Sequence, residues 1–210
     1  MYPIFVVPVD IANVGEGSPI AVYQRLDKAK FEVDGKNLSI VFGVIGAVFG
    51  VSCVVFSFGI RSVKAIAVAV VGSAAMGVVG ANLSNRMFNN LRETSGKDLP
   101  IMGITLNSMW QTTLGYALLW GLIGLGVGLG IGSVRGVGKS LVAGISGLCG
   151  GVLGAMLYVV LTAQFSIGTT MNRVIPDGNT SQAIWLVLFS VVIAVCIALG
   201  SGEKRRKAAT

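Results

Sequence analysis

The stretch from Gly130 to Gly144, "GIGSVRGVGKSLVAG", comes closest to a known chemical motif. Its Gly138, Lys139 and Ser140 match the end of the phosphate-binding loop, G-x-x-x-x-G-K-[ST], in which backbone N–H groups cradle phosphates and the lysine neutralises their charge. That loop requires its first glycine at position 133, which is Ser133, and a buried strand before it, where this chain has a long apolar run. We therefore predict no nucleotide site. The stretch is interpreted as a turn between two membrane helices, with Ser140 capping the second helix.

Other groups that carry chemistry are sparse. The chain has no histidine, and its three cysteines, Cys53, Cys149 and Cys196, stand far apart in apolar runs. A metal site needs clustered ligands, and proton-coupled transport or voltage sensing usually places ionisable groups at membrane depth. The long apolar segments contain no charged residue. We therefore expect no catalytic residue, no metal and no cofactor, and a protein that is not an enzyme.

Five segments are apolar enough to cross a bilayer, which takes about 20 residues. The chain is 53% hydrophobic and only 12% charged, whereas a soluble domain usually carries about 25% charged residues. We predict an all-α integral membrane protein without a separate soluble domain. Its membrane domain, 39–200, would contain five transmembrane helices at 39–60, 65–83, 112–132, 141–161 and 184–200.

The positive charge lies in alternate connecting segments. The segments after the first, third and fifth windows hold eight basic residues and one acidic residue, whereas the others hold eight of each, so the whole charge of +7 lies on one side. Cytoplasmic loops carry an excess of Lys and Arg. We predict an outside N-terminus and a basic cytoplasmic tail, 201–210, in a cell membrane expected to be a bacterial inner membrane, and no nucleic-acid partner. The orienting charges are Arg61, Lys64, Arg135, Lys139, Lys204, Arg205, Arg206 and Lys207.

The opposite side carries the longer segments. Residues 1–38 are expected outside the cytoplasm, and their start is not interpreted as a signal peptide because prolines interrupt a short apolar run. Ser18–Val33 begins with a Ser-Pro helix-entry signal and is predicted to form a short amphipathic helix on the membrane surface or capping the bundle. Trp110 and Trp185 stand at the outer entries of the third and fifth windows, where an aromatic belt is expected.

Two helical hairpins overlay when the chain is shifted by 74 residues. The shift matches Arg61 with Arg135 and "GVVGANL", Gly77–Leu83, with "GVLGAML", Gly151–Leu157. The start of the fifth window then falls near the start of the third. We infer a direct repeat of hairpins, two and a half units long, related by a rotation axis near the membrane normal.

Small residues recur at intervals of four in the first four windows. Such spacing lines one helix face and lets backbones approach closely, the pattern called a glycine zipper. The third window has more glycines than one such face needs, so either two partners approach it from different sides or it can bend. The residues predicted to form packing faces are Gly46, Gly50, Gly77, Ala81, Gly124, Gly128, Gly132, Gly147, Gly151 and Ala155.

Two classes of function remain open. The first is a non-enzymatic packing or assembly subunit that associates with itself or with other integral membrane subunits, because the chain combines close-packing faces with an absence of catalytic motifs. The alternative is a channel or facilitator for a small neutral solute, or a tension-gated pore, built from the repeated hairpins and a bendable third helix. Beyond the lipid bilayer, the sequence identifies no partner.

Overall fold

The computed structural model describes residues 19–58, 63–95, 106–165, 174–176 and 178–201, and every regular element in these ranges is an α-helix. The helices are α1 (Pro19–Phe58), α2 (Val63–Ser95), α3 (Leu106–Ser133), α4 (Val137–Phe165) and α5 (Asn179–Ser201). All five are long enough and apolar enough to cross a membrane, which confirms the prediction of an all-helical fold with five helices able to span a membrane. The orienting charges Arg61, Lys204, Arg205, Arg206 and Lys207 lie outside the described residues.

The first helix is longer than its apolar window. α1 has 40 residues, about 60 Å at 1.5 Å per residue, or about twice the thickness of a bilayer's hydrocarbon core. The prediction of a separate short helix over Ser18–Val33 is wrong for the described part of that segment, which is the beginning of α1. Pro19 suits the first helical position, and no later proline in α1 interrupts the hydrogen bonding before Phe58.

The second helix also continues beyond its window, which ends at Leu83. Ser84, Phe88 and Leu91 are all buried and stand at i, i+4 and i+7, so that they share one helix face. That face packs against α3, where a methyl group added to Gly115 would contact the Phe88 ring. Arg86, the first charged residue after the window, is exposed, so α2 leaves the charge-free window while one of its faces is still packed.

α3 is the central helix of the bundle. Consecutive helices pack against each other, and α3 also contacts α1 and α5. As a result 67% of the most apolar part of α3 is buried, against 22% for the corresponding parts of α1 and α5. One end of the bundle holds the connection between α3 and α4 together with Phe58, Val63 and Ser201, and we call it the short-connection end. We call the opposite end the long-connection end.

Candidate functional site

The stretch that resembles a phosphate loop contains the end of α3, a three-residue connection, Val134–Gly136, and the beginning of α4. Gly136 has a φ of 103°, a left-handed conformation that glycine adopts without steric cost. The Arg135 N–H donates to the Gly132 carbonyl at 2.9 Å, and the Ser140 N–H donates to the Gly136 carbonyl at 2.9 Å. The flanks are helices on both sides, so the strand on which a phosphate loop is built does not occur here.

Ser140 has a different role from the one predicted. α4 begins at Val137, so Ser140 stands inside the first turn and does not cap the helix, and that prediction is wrong. Its hydroxyl donates to the Leu129 carbonyl of α3 at 2.8 Å. Ser140 therefore fastens α4 to α3.

The basic residues near this connection differ in their surroundings. The Arg135 guanidinium donates to the Ser201 carbonyl at 2.7 Å, at the C-terminus of α5, where a cation satisfies an orphan carbonyl and interacts favourably with the helix dipole. Lys64 and Lys139 are exposed at the same end of the bundle. Arg135 therefore contacts the end of α5, in addition to its predicted role as an orienting charge.

Glycines bring the backbones of α3 and α4 together along three successive turns. A methyl group on Gly124 would overlap the Gly147 carbonyl, and one on Gly128 would overlap the Ala143 carbonyl. One on Gly132 would meet the backbone of Ser140. These α3 positions therefore have no room for a side chain.

A second set of glycines on α3 faces α2. A methyl group on Gly126 would lie 2.6 Å from the Ser73 Cα, and one on Gly130 would overlap Ala69. Ser73 is also the neighbour of Gly46 on α1, whose carbonyl accepts a hydrogen bond from the Ser73 hydroxyl at 2.7 Å. These contacts favour the explanation that α3 has many glycines because two helices pack on different sides of it, rather than because it bends.

All ten residues predicted to form packing faces are buried. On the first hairpin, a methyl group at Gly50 would meet Ser73 and Ala69, and one at Gly77 would overlap the Phe42 carbonyl. On the second, one at Gly151 would overlap the backbone of Gly121. Ala81 and Ala155 are fully buried.

Seven aromatic rings form a cluster in the half of the bundle nearer the long-connection end. Trp120 is stacked on Phe189 with ring centroids 4.9 Å apart and lies edge-on to Trp185 at 5.2 Å, both favourable arrangements for aromatic pairs. We call the following residues the aromatic cluster: Phe42, Phe88, Tyr116, Trp120, Tyr158, Trp185 and Phe189.

The prediction that Trp185 belongs to an interfacial belt is wrong. Trp185 is only 2% exposed, whereas Trp110 is 56% exposed. The physical reason is that α5 begins at Asn179 rather than at Ile184, so Trp185 lies more than a turn inside the helix and faces α3. Sequence reasoning missed the aromatic cluster because its members come from all five helices.

Three buried polar atoms, Ser84 Oγ, Trp120 Nε1 and Trp185 Nε1, have no hydrogen-bond partner among the described residues. A buried donor without a partner costs about 1–3 kcal/mol. The two indoles belong to the aromatic cluster, and Ser84 lies on the α2 face that packs against α3. All three of these unpartnered groups are neutral.

A groove of about 630 Å³ lies between α1 and α2 toward the long-connection end. Asn82 forms part of its wall by donating to the Ser39 hydroxyl and to the Val78 carbonyl, both at 2.8 Å. Sequence reasoning missed this groove because its α1 and α2 residues lie about 50 positions apart, mostly outside the charge-free windows. Its lining residues are Phe31, Glu32, Gly35, Lys36, Ser39, Ile40, Asn82, Asn85 and Arg86.

None of the three cysteines forms a disulfide. Cys53, Cys149 and Cys196 are all free, and no three His, Cys, Asp or Glu side chains cluster to hold a metal ion within the part of the chain that the structure describes. No family model, curated protein or solved structure matches this chain. Any function must therefore be argued from the packing, the outward faces and the groove.

Proposed function

We propose that the protein is a non-enzymatic packing or assembly subunit of a membrane, which associates with itself or joins a larger membrane complex. The observation that carries this proposal is the bundle interior, which is filled by apposed backbones and by apolar side chains from all five helices. An interior packed in this way leaves the lipid-facing surfaces as the ones available for interaction. A rigid, apolar, multi-pass scaffold is suited to contact other membrane helices.

Glycine-zipper packing within hairpins and a direct repeat form part of this proposal. At the offset of 74, Gly50 corresponds to Gly124 and Ser73 to Gly147. A methyl group on Gly50 would meet Ser73, and one on Gly124 would overlap Gly147, so the same contact occurs in both hairpins. The match is not complete, because Gly77 faces Phe42 whereas its counterpart Gly151 faces Gly121.

The contacts between successive hairpins support the same repeat. A methyl group on Gly126 would meet Gly72 and Ser73 where α3 crosses α2. At the offset of 74, Gly126 corresponds to Gly200 on α5, and Gly72 corresponds to Ser146 on α4. A methyl group on Gly200 would overlap Ser146. α5 thus packs on α4 through the same positions by which α3 packs on α2, as expected if α5 is the first helix of a third repeat unit.

The outward face of α5 is the candidate association surface. Its exposed residues Val187, Val191, Val195 and Leu199 recur every four positions and therefore form one stripe that is inclined to the helix axis. α5 packs mainly on α4, and 22% of its most apolar part is buried. β-branched side chains on this stripe have few rotamers to lose when another helix packs on them.

Blue-native electrophoresis of protein extracted in mild detergent tests the assembly proposal. We expect a species larger than the monomer, and we expect Val191→Trp to weaken it by disturbing the stripe. The matched control is Val48→Trp, which places the same side chain on the exposed face of α1. A lone monomer without co-purifying partners contradicts the proposal, and equal effects of both variants contradict the assignment to α5.

We also propose that the short-connection end is cytoplasmic, which places the N-terminus outside. Lys64, Arg135 and Lys139 all lie at this end, and the positive charge of the chain is concentrated on the same side. A reporter fused at Thr210 should be cytoplasmic in cells. An extracellular reporter would overturn this orientation.

A neutral-solute channel or facilitator remains the second candidate. It is favoured by the unpartnered Ser84, Trp120 and Trp185 atoms, since such groups can bind water or a neutral solute. Flux of a small neutral solute into proteoliposomes distinguishes the two functions. A channel predicts flux that is lost in Gly128→Leu protein that has retained its fold, whereas the assembly role predicts no flux in either protein.

A further inference from the structure

The groove between α1 and α2 stands where both helices leave their charge-free windows. Lys36 of α1 and Arg86 of α2 line it and are exposed, and the two windows begin at Ser39 and end at Leu83. In a protein that spans a membrane, this is the level at which hydrocarbon gives way to lipid headgroups. A ligand in the groove would meet charged residues from two helices at that depth.

Hydrogen-bond donors border the groove on both sides. Lys36 supplies an ammonium, Arg86 a guanidinium and Asn85 an amide. Asn85 lies close to Gly35, because a methyl group added to Gly35 would be only 3.3 Å from Asn85 Nδ2. Arginine and lysine bind phosphate oxygens through charge-assisted hydrogen bonds, so this donor set suits a phosphate group.

An apolar stripe runs down α1 from the groove. Ile40, Val44 and Val48 follow Lys36 at intervals of four residues and are 40%, 58% and 60% exposed. Residues spaced by four lie above one another on a helix. A ligand with a phosphate at one end and a long apolar chain at the other would contact both the groove and the stripe, whereas a free phosphate ion would use the groove alone.

We propose that the groove between α1 and α2 binds the phosphate of a phospholipid headgroup, with Lys36 and Arg86 on either side of it and an acyl chain along the α1 stripe. Glu32 also lines the groove, so its three charged side chains sum to one positive charge. That balance favours a lipid with a net negative charge. The proposal is independent of the assembly role proposed above.

Native mass spectrometry of the full-length protein in detergent, with added phosphatidylglycerol, tests the site. We expect wild-type protein to retain phosphatidylglycerol, and the double variant Lys36→Gln/Arg86→Gln to bind it about tenfold or more weakly, since it loses two charge-assisted contacts. The control Lys64→Gln/Lys139→Gln removes the same charge at the opposite end of the bundle. It should bind as wild type does, and circular dichroism should give equal helix content for all three proteins.

A second variant tests the space in the groove without changing its charge. Gly35→Leu should also weaken phosphatidylglycerol binding, because the added side chain would displace the Asn85 amide that borders the groove. Wild-type retention in both groove variants would overturn the proposal, as would equal losses in the control. Equal retention of phosphatidylcholine would show that the net charge is not recognised, and competition by millimolar inorganic phosphate would assign the groove to a soluble ion.

Discussion

The two halves of the bundle are held together in different ways. Toward the short-connection end, glycines such as Gly124, Gly128 and Gly130 bring helix backbones into direct contact. Toward the long-connection end, the aromatic cluster fills the space between the same helices, with Trp120 and Phe189 fully buried. We call these the glycine half and the aromatic half. The crossings of the glycine half bring backbones together, whereas the aromatic half is filled by the largest side chains, some of which lie against glycines such as Gly115.

This difference predicts opposite responses to mutation. Lipid tails are as apolar as the helix surfaces, so helices in a bilayer associate mainly through close packing and hydrogen bonds. In the glycine half the packing partners are backbone atoms, which move little to accommodate an added methyl group. In the aromatic half they are rings, whose removal leaves a cavity. Added volume should therefore damage the first half and lost volume the second.

Trp120→Ala should have the largest effect. Trp120 is fully buried against Phe42, Trp185 and Phe189, and truncation of a buried Trp costs about 3–5 kcal/mol through lost contacts and the cavity that remains. Unfolding by SDS in mixed micelles measures this loss. The control is Trp110→Ala, because Trp110 is 56% exposed, and it should cost much less. Equal losses for the two variants would mean that the aromatic half is not a packed core.

Gly128→Ala tests the opposite half with a single methyl group. That group would overlap the Ala143 carbonyl of α4, and overpacking of this kind costs about 1–3 kcal/mol. The matched control is Gly138→Ala, at a position where nothing lies within 4 Å of the added methyl, and it should leave stability unchanged or raise it slightly. The comparison between the halves fails if Gly128→Ala is as stable as Gly138→Ala in the same SDS titration.

The sequence predicted the number of helices better than their ends. Charge-free windows identify spans because charge is costly in hydrocarbon, and each window overlaps one helix of the structure. The same rule stops at Leu83, although α2 continues to Ser95, because a helix that leaves the hydrocarbon can expose polar residues while Phe88 and Leu91 remain packed. Helix ends outside the bilayer are set by tertiary contacts, which a hydropathy window does not contain.

The candidate sites, like the helices, were predicted only in part from the sequence. The ten small residues predicted from four-residue spacing are all buried. The spacing did not identify their neighbours, so the role of Ser73 at a junction of three helices was missed. The groove depends on Lys36 and Arg86 standing on adjacent helices, and that juxtaposition follows from the register of α1 against α2 rather than from any local motif.

Arg135→Gln should have a smaller effect, confined to one edge of the glycine half. The Arg135 guanidinium donates to the Ser201 carbonyl at 2.7 Å, and a hydrogen bond from a charged group at an exposed helix end contributes about 1 kcal/mol. We expect faster hydrogen exchange in the last turn of α5 and little change elsewhere. Lys139→Gln removes an exposed charge from the same end and should leave exchange in α5 unchanged. Equal exchange in both variants would show that Arg135 acts only as a charge.

Gly72→Ala should have the smallest effect on stability. Its effect should be opposite in sign to that of Gly126→Ala, on the other side of the α2–α3 crossing. A methyl group on Gly72 would lie 3.5 Å from the Gly126 carbonyl, an ordinary contact, whereas one on Gly126 would lie 2.6 Å from the Ser73 Cα. Alanine restricts the unfolded chain and favours the helix, so Gly72→Ala should stabilise the protein by about 0.5 kcal/mol, while Gly126→Ala should destabilise it. SDS unfolding of the two variants decides whether the glycine half requires every glycine or only those whose missing side chain faces a backbone. If Gly72→Ala is as damaging as Gly126→Ala, the distance to the opposing backbone is not what determines tolerance in this half.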